Sequence, residues 1–360
     1  MQSTFFSGIK VVEFASVLAG PAVGMFFAEL GATVVKIENK AAGGDVTRGW
    51  RLPSEDKDAP VSAYFCSVNW GKKHLFLDLS MAEDVQTAIE LVKEADVVIS
   101  NFKPSSAARM GVDAATLRTL NPRLIFAQLH AFADPEDESP AFDVVLQAEA
   151  GFLFMCGEPG RNPVRMPVAL IDILAAHQLK EAILLALLQR EQTGKGALVS
   201  TSLLESAIAS LANQATNWLM AGHIPQRMGT EHPNIAPYGD IYSCADGRPI
   251  VLAVGTERQF RQLCAALQTE ELLGNADFQT NTARVNHRQT LNKILGAAIA
   301  LYNCADLLDK FKTFGVPSAR IRDMSEVFLM PAAQSMIIEE TMDNGFVTKR
   351  VRTNAFKIEK

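Results

Sequence analysis

The sequence has few cysteines and no pair of them at a metal-binding or redox spacing. Five cysteines are scattered along 360 residues without a CxxC motif, so we expect buried, reduced thiols rather than disulfides or a metal cluster. The six histidines form no HExxH motif or other ligand spacing, which argues against a zinc site. We therefore predict a protein without a bound metal.

Long apolar runs and an excess of positive charge are also missing. No run reaches the roughly 20 apolar residues that cross a bilayer, and the start, MQSTFFSGIK, is too short and too polar for a signal peptide. A formal net charge of −6 disfavours a general nucleic-acid binder. We expect a soluble, cytoplasmic protein that acts on small molecules, with neither membrane nor nucleic acid as a partner.

The glycine fingerprint of dinucleotide-binding folds is the third absence. Residues 8–15 predict a buried strand, Pro21 suits the first turn of a helix, and ATVVKIE predicts a second strand that ends at Glu38. Such a unit implies parallel strands. An acid at this place is typical of dinucleotide folds, but Gly20-Pro-Ala-Val-Gly24 stands where GxGxxG would be. NAD or a flavin dinucleotide is therefore disfavoured, and another nucleotide stays open.

The alternation of strands and helices continues through the first half of the chain. Strands are predicted within 68–80, 96–102 and 124–129, with a helix in AEDVQTAIELVKEA. We predict an α/β fold with a Rossmann-like large domain built on a parallel sheet. Asn101 and Phe102 lie at the carboxyl end of one strand, where open α/β sheets bind ligands.

A long apolar helix that begins beside a single carboxylate is the most unusual feature. Within 168–196, apolar residues recur every three or four positions and predict a helix over 173–192, closed by Gly194. Its middle, AILLALL, is apolar all round, so both faces should be buried. Asp172, just before it, has two compatible interpretations: an N-cap, or a carboxylate that faces a cleft at the positive end of the helix.

Ordered motifs extend over nearly the whole chain. They are GIKVVEFASVLAGPAVGMFFAELGATVVKIE, GGDVTRGW, NWGKKHLFLDL, ADVVISNFKPSSAARMGVD, NPRLIFAQL, FDVVLQAEAGFLFMCG, QREQTGKGALVSTSLLESAI, APYGDIYSCADGRPIVLAV and FGVPSARI. No single motif is diagnostic. The ordered set resembles the class III CoA-transferase family, also called CaiB/BaiF, which includes the α-methylacyl-CoA racemases.

The resemblance implies a site for coenzyme A or an acyl-CoA, bound as substrate. Asp172 stands where the transferases have their acyl-accepting aspartate, and Val17 and Ala19 stand in the first strand–helix loop, which in the family touches the adenosine. Other residues stand at positions similar to the family's nucleotide and phosphate contacts: Lys72, Asn101, Phe102 and Arg109. Cations and an apolar slot suit such a ligand. The alternatives are that Phe102 is core and that Lys72 is a solvated surface charge.

Three positions depart from the family pattern. Asn39 replaces a basic residue that is common after the second strand, and Ala176 replaces a usual glycine in the long helix. The loop HAFADPEDESPAFD lacks the family's glycines and carries a cluster of acids, including those of 134–143. Because this loop usually lies near the acyl end, the substrate is not assigned by analogy.

The second half of the chain changes in composition after a long predicted helix, SLLESAIASLANQATNWLMAG. Two Pro/Gly-containing stretches are typical of linkers, and Asp343-Asn-Gly345 predicts the turn of a terminal hairpin. The resemblance implies a homodimer of two interlocked chains. The predicted organisation is a large CoA-binding domain (1–221), a linker (222–236), a smaller α/β domain (237–314), a second linker (315–332) and a C-terminal segment that returns to the large domain (333–360).

Three functions compete for this sequence. In CoA transfer between carboxylic acids, Asp172 would form an acyl anhydride and then an aspartyl-CoA thioester. An acyl-CoA racemase or epimerase needs an acid and a base on opposite faces, but Phe142-Asp143 stands where family racemases have their histidine, and His130 is only nearby in sequence. A nucleotide-binding protein without catalysis is disfavoured by the intact Asp172. CoA transfer is the favoured function and racemisation the alternative, with the acyl donor and acceptor left open.

The ionisation of Asp172 can also be anticipated. A nucleophilic carboxylate must be charged near neutral pH, yet burial can raise its pKa from about 3.9 by up to about 3–5 units. A helix amino terminus offsets only about 0.3–1 kcal/mol of this. We therefore expect Asp172 to open onto the CoA cleft, with one oxygen held by N–H donors and the other unbound.

Overall fold

The computed structural model, which describes residues 4–342 and 344–359, contains a six-stranded sheet in the order β3-β2-β1-β4-β5-β6. Every neighbouring pair in it is parallel. The α/β fold and the parallel sheet are thus confirmed, whereas the sixth strand was not predicted. The strands are β1 (Lys10–Glu13), β2 (Thr33–Asn39), β3 (Lys72–Leu77), β4 (Val97–Ser100), β5 (Ile125–His130) and β6 (Leu198–Ser202).

Ten helices surround this sheet or follow it directly along the described chain. They are α1 (Ala19–Glu29), α2 (Ala63–Cys66), α3 (Ala82–Lys93), α4 (Pro104–Met110), α5 (Ala114–Leu120), α6 (Asp143–Glu149), α7 (Phe152–Met155), α8 (Leu170–Thr193), α9 (Leu203–Ala209) and α10 (Asn213–Ala221). The long helix predicted after β6 is broken into α9 and α10. Ala212, between them, has a φ of +49°, which a continuous right-handed helix does not allow.

Both faces of the central strands are buried, as parallel sheets require. In β4, Val97 and Ile99 belong to the core on the side of α1 and α8, whereas Val98 belongs to the core on the side of α3 and α5. Successive side chains of a strand point to opposite faces, so one apolar run fills two cores. This burial fixes the carboxyl ends of β1 and β4 at the centre of the molecule's main sheet.

A second, antiparallel sheet forms the core of a smaller unit. Its strands, in the order β7-β8-β9, pack with helical residues such as Phe260, Leu291 and Phe311. These elements are β7 (Tyr238–Ser243), β8 (Pro249–Ala253), β9 (Ser318–Arg320), α11 (Glu257–Leu267), α12 (Asn281–Asn286), α13 (Arg288–Ile299), α14 (Cys304–Phe314) and α15 (Met324–Val327).

The chain divides into a large unit and a small unit whose bounds differ from the predicted domains. The small unit comprises Phe154–Val164 and Gln226–Pro331, and the remaining described residues form the large unit. Residues 154–164 were predicted in the large domain. Residues 315–332 were predicted to be a linker, but β9 lies within them and pairs with β8. Hydrogen bonding to the sheet therefore makes most of that stretch part of the small unit.

The end of the chain groups with the large unit. After α16 (Pro331–Gln334), the strands β10 (Ile337–Thr341) and β11 (Val347–Val351) pair antiparallel. Arg350 forms an ion pair of 2.5 Å with Glu29 of α1, and both side chains are only 5% exposed. The predicted turn at Asp343-Asn-Gly345 begins at a residue outside the described residues.

None of the described helices is by itself long and apolar enough to span a membrane; one bent pair, α13 with α14 at 113°, meets the criteria of length and composition together. The five cysteines are unbridged. No three His, Cys, Asp or Glu side chains within 4–342 and 344–359 are grouped so that they could hold a metal ion.

Candidate active site

The sheet has a topological switch point between β1 and β4. The chain continues outward from β1 to β2 and β3 on one side, and from β4 to β5 and β6 on the other. Open α/β sheets bind their ligands in the crevice outside the carboxyl ends of the strands at such a point. The loops that follow β1 and β4 are therefore the first candidates for a binding site.

Asn101 ties these two loops together. Its side-chain Nδ2 donates to the carbonyl oxygen of Ser16 at 3.1 Å, and its Oδ1 accepts from the Ser16 N–H at 3.2 Å. Both hydrogen-bonding groups of the amide are thus engaged by the β1–α1 loop. The structure thus places Asn101 between the two loops, where its side chain fixes the β1–α1 loop.

Val17, which follows Ser16, has an unusual backbone conformation. Its φ is +73°, a left-handed conformation that costs a β-branched residue about 1–3 kcal/mol. The N–H of Val17 donates to Oδ2 of Asp45 at 3.2 Å. Such strain persists only where the surroundings over-determine it, and it clusters at ligand-binding sites.

Four charged side chains are buried beneath the β1–α1 loop. Lys36 Nζ lies 2.9 Å from Glu13 Oε1 and 3.0 Å from Asp45 Oδ2, and Lys72 Nζ lies 2.8 Å from Glu13 Oε2. All four side chains are at most 1% exposed. Burial would lower the pKa of Lys36, but Glu13 and Asp45 outweigh it and hold that pKa above its usual value. Two cations and two carboxylates therefore balance in the interior.

The predicted role of Lys72 as a phosphate contact disagrees with this geometry, as does its alternative as a solvated surface charge. Its side chain is 0% exposed. The ammonium donates to Glu13, to the carbonyl oxygen of Pro21 at 2.9 Å and to Asn69 Oδ1 at 3.0 Å. All three of its protons have partners, so Lys72 supports the loop from below and has no donor left for a ligand.

Three other predicted residues differ in their exposure. Ala19 is buried as the first residue of α1. Phe102 is half-buried, with its ring centroid 5.9 Å from that of Phe14, so it is partly core and partly accessible. Arg109 is exposed on α4 and has no ion-pair partner among the described residues, which leaves its guanidinium available to an anion.

Both carboxylate oxygens of Glu38, the acid at the end of β2, are hydrogen-bonded within the protein. Arg48 donates to its two oxygens at 2.7 and 2.6 Å, His74 Nδ1 lies 2.7 Å away, and the N–H of Asp45 donates at 2.8 Å. Although burial opposes it, these hydrogen bonds hold the pKa of Glu38 far below its usual range. A ribose has no oxygen of this carboxylate left to bind. Asn39, which replaces a basic residue, accepts from the N–H groups of Ala41 and Ala42.

The acidic loop before α6 contacts the amino end of α4. Glu138 accepts from the Ser105 N–H at 2.9 Å and from Ser105 Oγ at 2.7 Å, while Lys103 Nζ donates to the Glu138 carbonyl oxygen at 2.6 Å. One acid of this loop therefore has a structural role, because it supplies acceptors to the beginning of α4.

Asp172 occupies the first turn of α8 and is not its N-cap. The helix begins at Leu170, three residues earlier than predicted, and its N-cap residue, Ala169, makes no side-chain capping bond. Leu185 and Leu188 of the same helix are 67% and 65% exposed, so the prediction that both faces are buried is wrong for the single chain. The long apolar helix and its end at Gly194 are confirmed.

Asp143 supplies the cap that was expected of Asp172. Its Oδ2 accepts from the N–H of Ile171 at 2.6 Å and from the N–H of Asp172 at 3.3 Å. Its Oδ1 accepts from Gln147 Nε2, and Gln147 Oε1 accepts from the Met166 N–H at 3.0 Å. The helix N–H groups are therefore directed to Asp143, which contradicts the expectation that they hold an oxygen of Asp172.

The carboxylate of Asp172 is buried without a counter-charge. Its residue is 8% exposed, and the side chain accepts no hydrogen bond and forms no ion pair with the described residues. Burial, and after it the neighbouring charge of Asp143, raise the pKa of Asp172 to about 7. Desolvation therefore disfavours the charged form of Asp172, as is common for carboxylates at functional sites.

The histidine that a racemase would pair with its aspartate has no counterpart at the expected position in the described chain. Phe142 is 57% exposed and has no acid–base chemistry. His130, at the end of β5, is half-buried, and burial lowers the pKa of its imidazole against the opposing effect of Glu205. No hydrogen bond joins His130 to Asp172 or Asp143 in the described structure.

Comparison with known proteins identifies the class. The model of CoA-transferase family III matches residues 6–359, and the chain belongs to that family. A solved CaiB/BaiF family protein from Brucella suis is 35% identical, with a TM-score of 0.86 over 99% of this chain and 93% of that chain.

Several relatives have named reactions, among them two glutarate CoA-transferases. The succinate–glutarate CoA-transferase of Agrobacterium fabrum is 37% identical over 96% of this chain and 88% of that protein. The succinyl-CoA:glutarate CoA-transferase of Homo sapiens is 31% identical over 98% of this chain and 77% of that protein. The relatives are CoA-transferases, and CoA thioesters are the substrates of this class.

Proposed function

We propose that this protein transfers CoA between carboxylic acids and that Asp172 is the residue that carries the intermediates. One observation carries the proposal: the first turn of α8 holds a buried carboxylate that has no cation and no hydrogen-bond donor among the described residues. A structural carboxylate at this depth would have such partners. Membership of a CoA-transferase family supports the same reaction.

The reaction balances with Asp172 as the only covalent residue. Its carboxylate oxygen attacks the thioester carbonyl and the C–S bond breaks. CoA thiolate is the leaving group, and the product on the protein is an acyl-aspartyl anhydride. The thiolate attacks the aspartyl carbonyl, which releases the first acid and forms an aspartyl-CoA thioester. The acceptor carboxylate then attacks the aspartyl-CoA thioester and displaces CoA thiolate, which gives a second anhydride. The thiolate attacks the acyl carbonyl of this anhydride, forms the new acyl-CoA and releases the Asp172 carboxylate.

The other residues bind and position in this proposal. Asp143 fixes the first turn of α8 through its hydrogen bonds to Ile171 and Asp172. The switch-point loops hold the nucleotide, with Arg109 available to a phosphate. The proposed nucleotide contacts are Val17, Ala19, Asn101, Phe102 and Arg109.

A dicarboxylic acid is the proposed acceptor. Both named relatives act on glutarate and on succinate or its CoA thioester, as their names state. Succinyl-CoA as donor and glutarate as acceptor are therefore the first pair to assay, with a monocarboxylic acid of similar length for comparison.

A homodimer is part of the proposal. Besides Leu185 and Leu188, three consecutive residues at the end of α10 are exposed: Trp218 by 54%, Leu219 by 78% and Met220 by 82%. Apolar surface of this kind marks an interface, and a second, interlocked copy of the chain is the occupant that the family resemblance implies. Sedimentation that shows folded monomer at nanomolar concentration would contradict the interlocked arrangement.

Replacement of Asp172 by Asn tests the function. The variant keeps the shape of the side chain but removes the nucleophile, so CoA transfer from succinyl-CoA to glutarate should fall by roughly three orders of magnitude or more. Glu83→Gln, at an exposed acid in the first turn of α3, is the control and should keep full activity. Comparable transfer by Asp172→Asn would exclude the proposed mechanism.

A further inference from the structure

A hydrogen bond links the strained Val17 to the buried ion pairs beneath it. The only hydrogen bond described for the Val17 N–H joins it to Asp45 Oδ2, and the same oxygen lies 3.0 Å from Lys36 Nζ. The carboxylate of Asp45 therefore connects the strained backbone at Val17 to Lys36, a buried cation of β2. The loop is held in this way by a rigid strand.

Asp45 is itself held from three sides. Its Oδ1 accepts from the N–H of Thr47 at 3.0 Å and from Thr47 Oγ1 at 2.7 Å, and its own N–H donates to Glu38 Oε2 at 2.8 Å. The side chain is 0% exposed. The carboxylate of Asp45 is therefore fixed in position, and the β1–α1 loop must place the Val17 N–H within reach of its Oδ2.

We infer that Asp45 is a positioning residue for nucleotide binding, because its buried carboxylate keeps Val17 in the left-handed conformation and so preforms the β1–α1 loop at the switch point. The inference rests on the proposed function, since it takes this loop as the nucleotide end of the CoA site. A preformed loop loses less conformational entropy when the ligand binds. Asp45 acts on affinity for the nucleotide and leaves the chemistry at Asp172 unchanged.

Asp45→Asn is the direct test. The amide can still accept from Thr47, but it then presents N–H donors to the donors of Val17 and Lys36. We expect the KM for succinyl-CoA to rise roughly tenfold or more, as for a lost charge-assisted hydrogen bond, with kcat within about twofold. The inhibition constant of adenosine 3′,5′-bisphosphate, the nucleotide fragment of CoA, should rise by the same factor.

Two further variants control this experiment. Asp58→Asn changes an exposed carboxylate of the same stretch of chain, so KM and the inhibition constant should stay within about twofold. Asp45→Glu keeps the buried charge while it displaces the oxygen. It replaces Asp45→Asn as the test if the latter fails to fold, and it should show the same rise in KM and in the inhibition constant.

A double-mutant cycle separates positioning from general support. Glycine adopts a φ of +73° without strain, so in a Val17→Gly background the loop depends less on Asp45. The Asp45→Asn factor on the inhibition constant should therefore be smaller there than in the wild type. An equal factor in both backgrounds would overturn the inference.

The outcomes distinguish this inference from the proposed function. If the nucleotide fragment does not inhibit the wild type, or if Asp45→Asn changes kcat and not KM, the inference is wrong. Neither result bears on whether Asp172 carries the acyl group, which the Asp172→Asn assay decides separately.

Discussion

Two pairs of buried carboxylates in the large unit have opposite surroundings. Glu13 and Asp45 lie between Lys36 and Lys72, with every charge matched at 2.8–3.0 Å. Asp143 and Asp172 lie near each other, and no cation of residues 4–342 and 344–359 contacts them. Asp143 accepts helix N–H groups, but Asp172 accepts nothing from the described chain.

The difference shows that a buried carboxylate can stabilise the fold or be available for reaction, depending on whether a cation contacts it. A buried carboxylate with a matched cation stays charged, and removal of a partner leaves an uncompensated charge in the interior. A buried carboxylate without a partner has a raised pKa and an oxygen that is available to react. The first pair should therefore dominate stability and the second should dominate activity.

The largest expected effect on stability is at the matched pair. Glu13→Gln leaves Lys36 and Lys72 with only one carboxylate between them, so the free energy of unfolding should fall by about 3–5 kcal/mol. Urea denaturation measures this. The control is Glu94→Gln, which breaks the exposed Lys10–Glu94 pair of 2.7 Å and should leave the free energy of unfolding close to that of the wild type. Equal effects would remove the distinction between buried and exposed pairs.

At the unmatched pair, Asp172→Asn should raise the free energy of unfolding relative to the wild type, and by more at higher pH. The folded-state pKa of about 7 exceeds the ordinary 3.8, so the folded protein binds more protons between these values and loses stability as the pH rises through them. Roughly three units correspond to at most about 4 kcal/mol. Asparagine carries no such penalty.

Denaturation of Asp172→Asn and wild type at pH 5 and pH 8 tests this sign. The stability advantage of the variant should grow from the lower to the higher pH. An advantage that is the same at both values would mean that Asp172 is not a desolvated carboxylate in the folded protein.

Arg109 offers a smaller effect on binding. If its exposed guanidinium contacts a phosphate of CoA, Arg109→Ala should weaken CoA binding by about 1.5–3 kcal/mol, as measured by calorimetry. Arg118→Ala, which removes a cation from the neighbouring α5, should leave the affinity unchanged. Unaltered CoA affinity in Arg109→Ala would take Arg109 out of the site.

The smallest expected effect is a shift in a pH profile. Asp143→Asn removes the second cause of the raised pKa of Asp172 and leaves burial, the larger cause, in place. The midpoint of activity against pH should therefore move to lower pH without returning to that of an ordinary aspartate. A shift to higher pH would contradict the assigned repulsion between the two carboxylates.

The sequence predicted the parts of the fold that repeat a pattern. Alternating apolar strands and periodic helices located β1 to β5, α1, α3 and the long α8, because those patterns arise from burial on fixed faces. The break at Ala212 and the strand β9 within a predicted linker were missed. The strand β9 depends on its pairing with the distant β8, which a short mixed segment does not reveal.

The candidate site was predicted less completely, since charge partners are distant along the chain. Asp172 was found by its place at an apolar helix, yet its cap, Asp143, lies 29 residues away. Lys72 was predicted to be a phosphate contact, with a solvated surface charge as the alternative, because its partner Glu13 is separated from it by 59 residues. A signal was present: Glu13 and Lys36 interrupt strands that are otherwise apolar, which indicates a buried ion pair.

The central claim is that Asp172 is a buried nucleophile that becomes reactive as it ionises. Its direct test is the single-turnover rate of covalent adduct formation from acyl-CoA as a function of pH, with the modified peptide identified by mass spectrometry. The account predicts an adduct on Asp172 whose rate of formation rises with pH and levels off above a midpoint of about 7. An adduct on another residue, or a rate already at its plateau at pH 5, would contradict it.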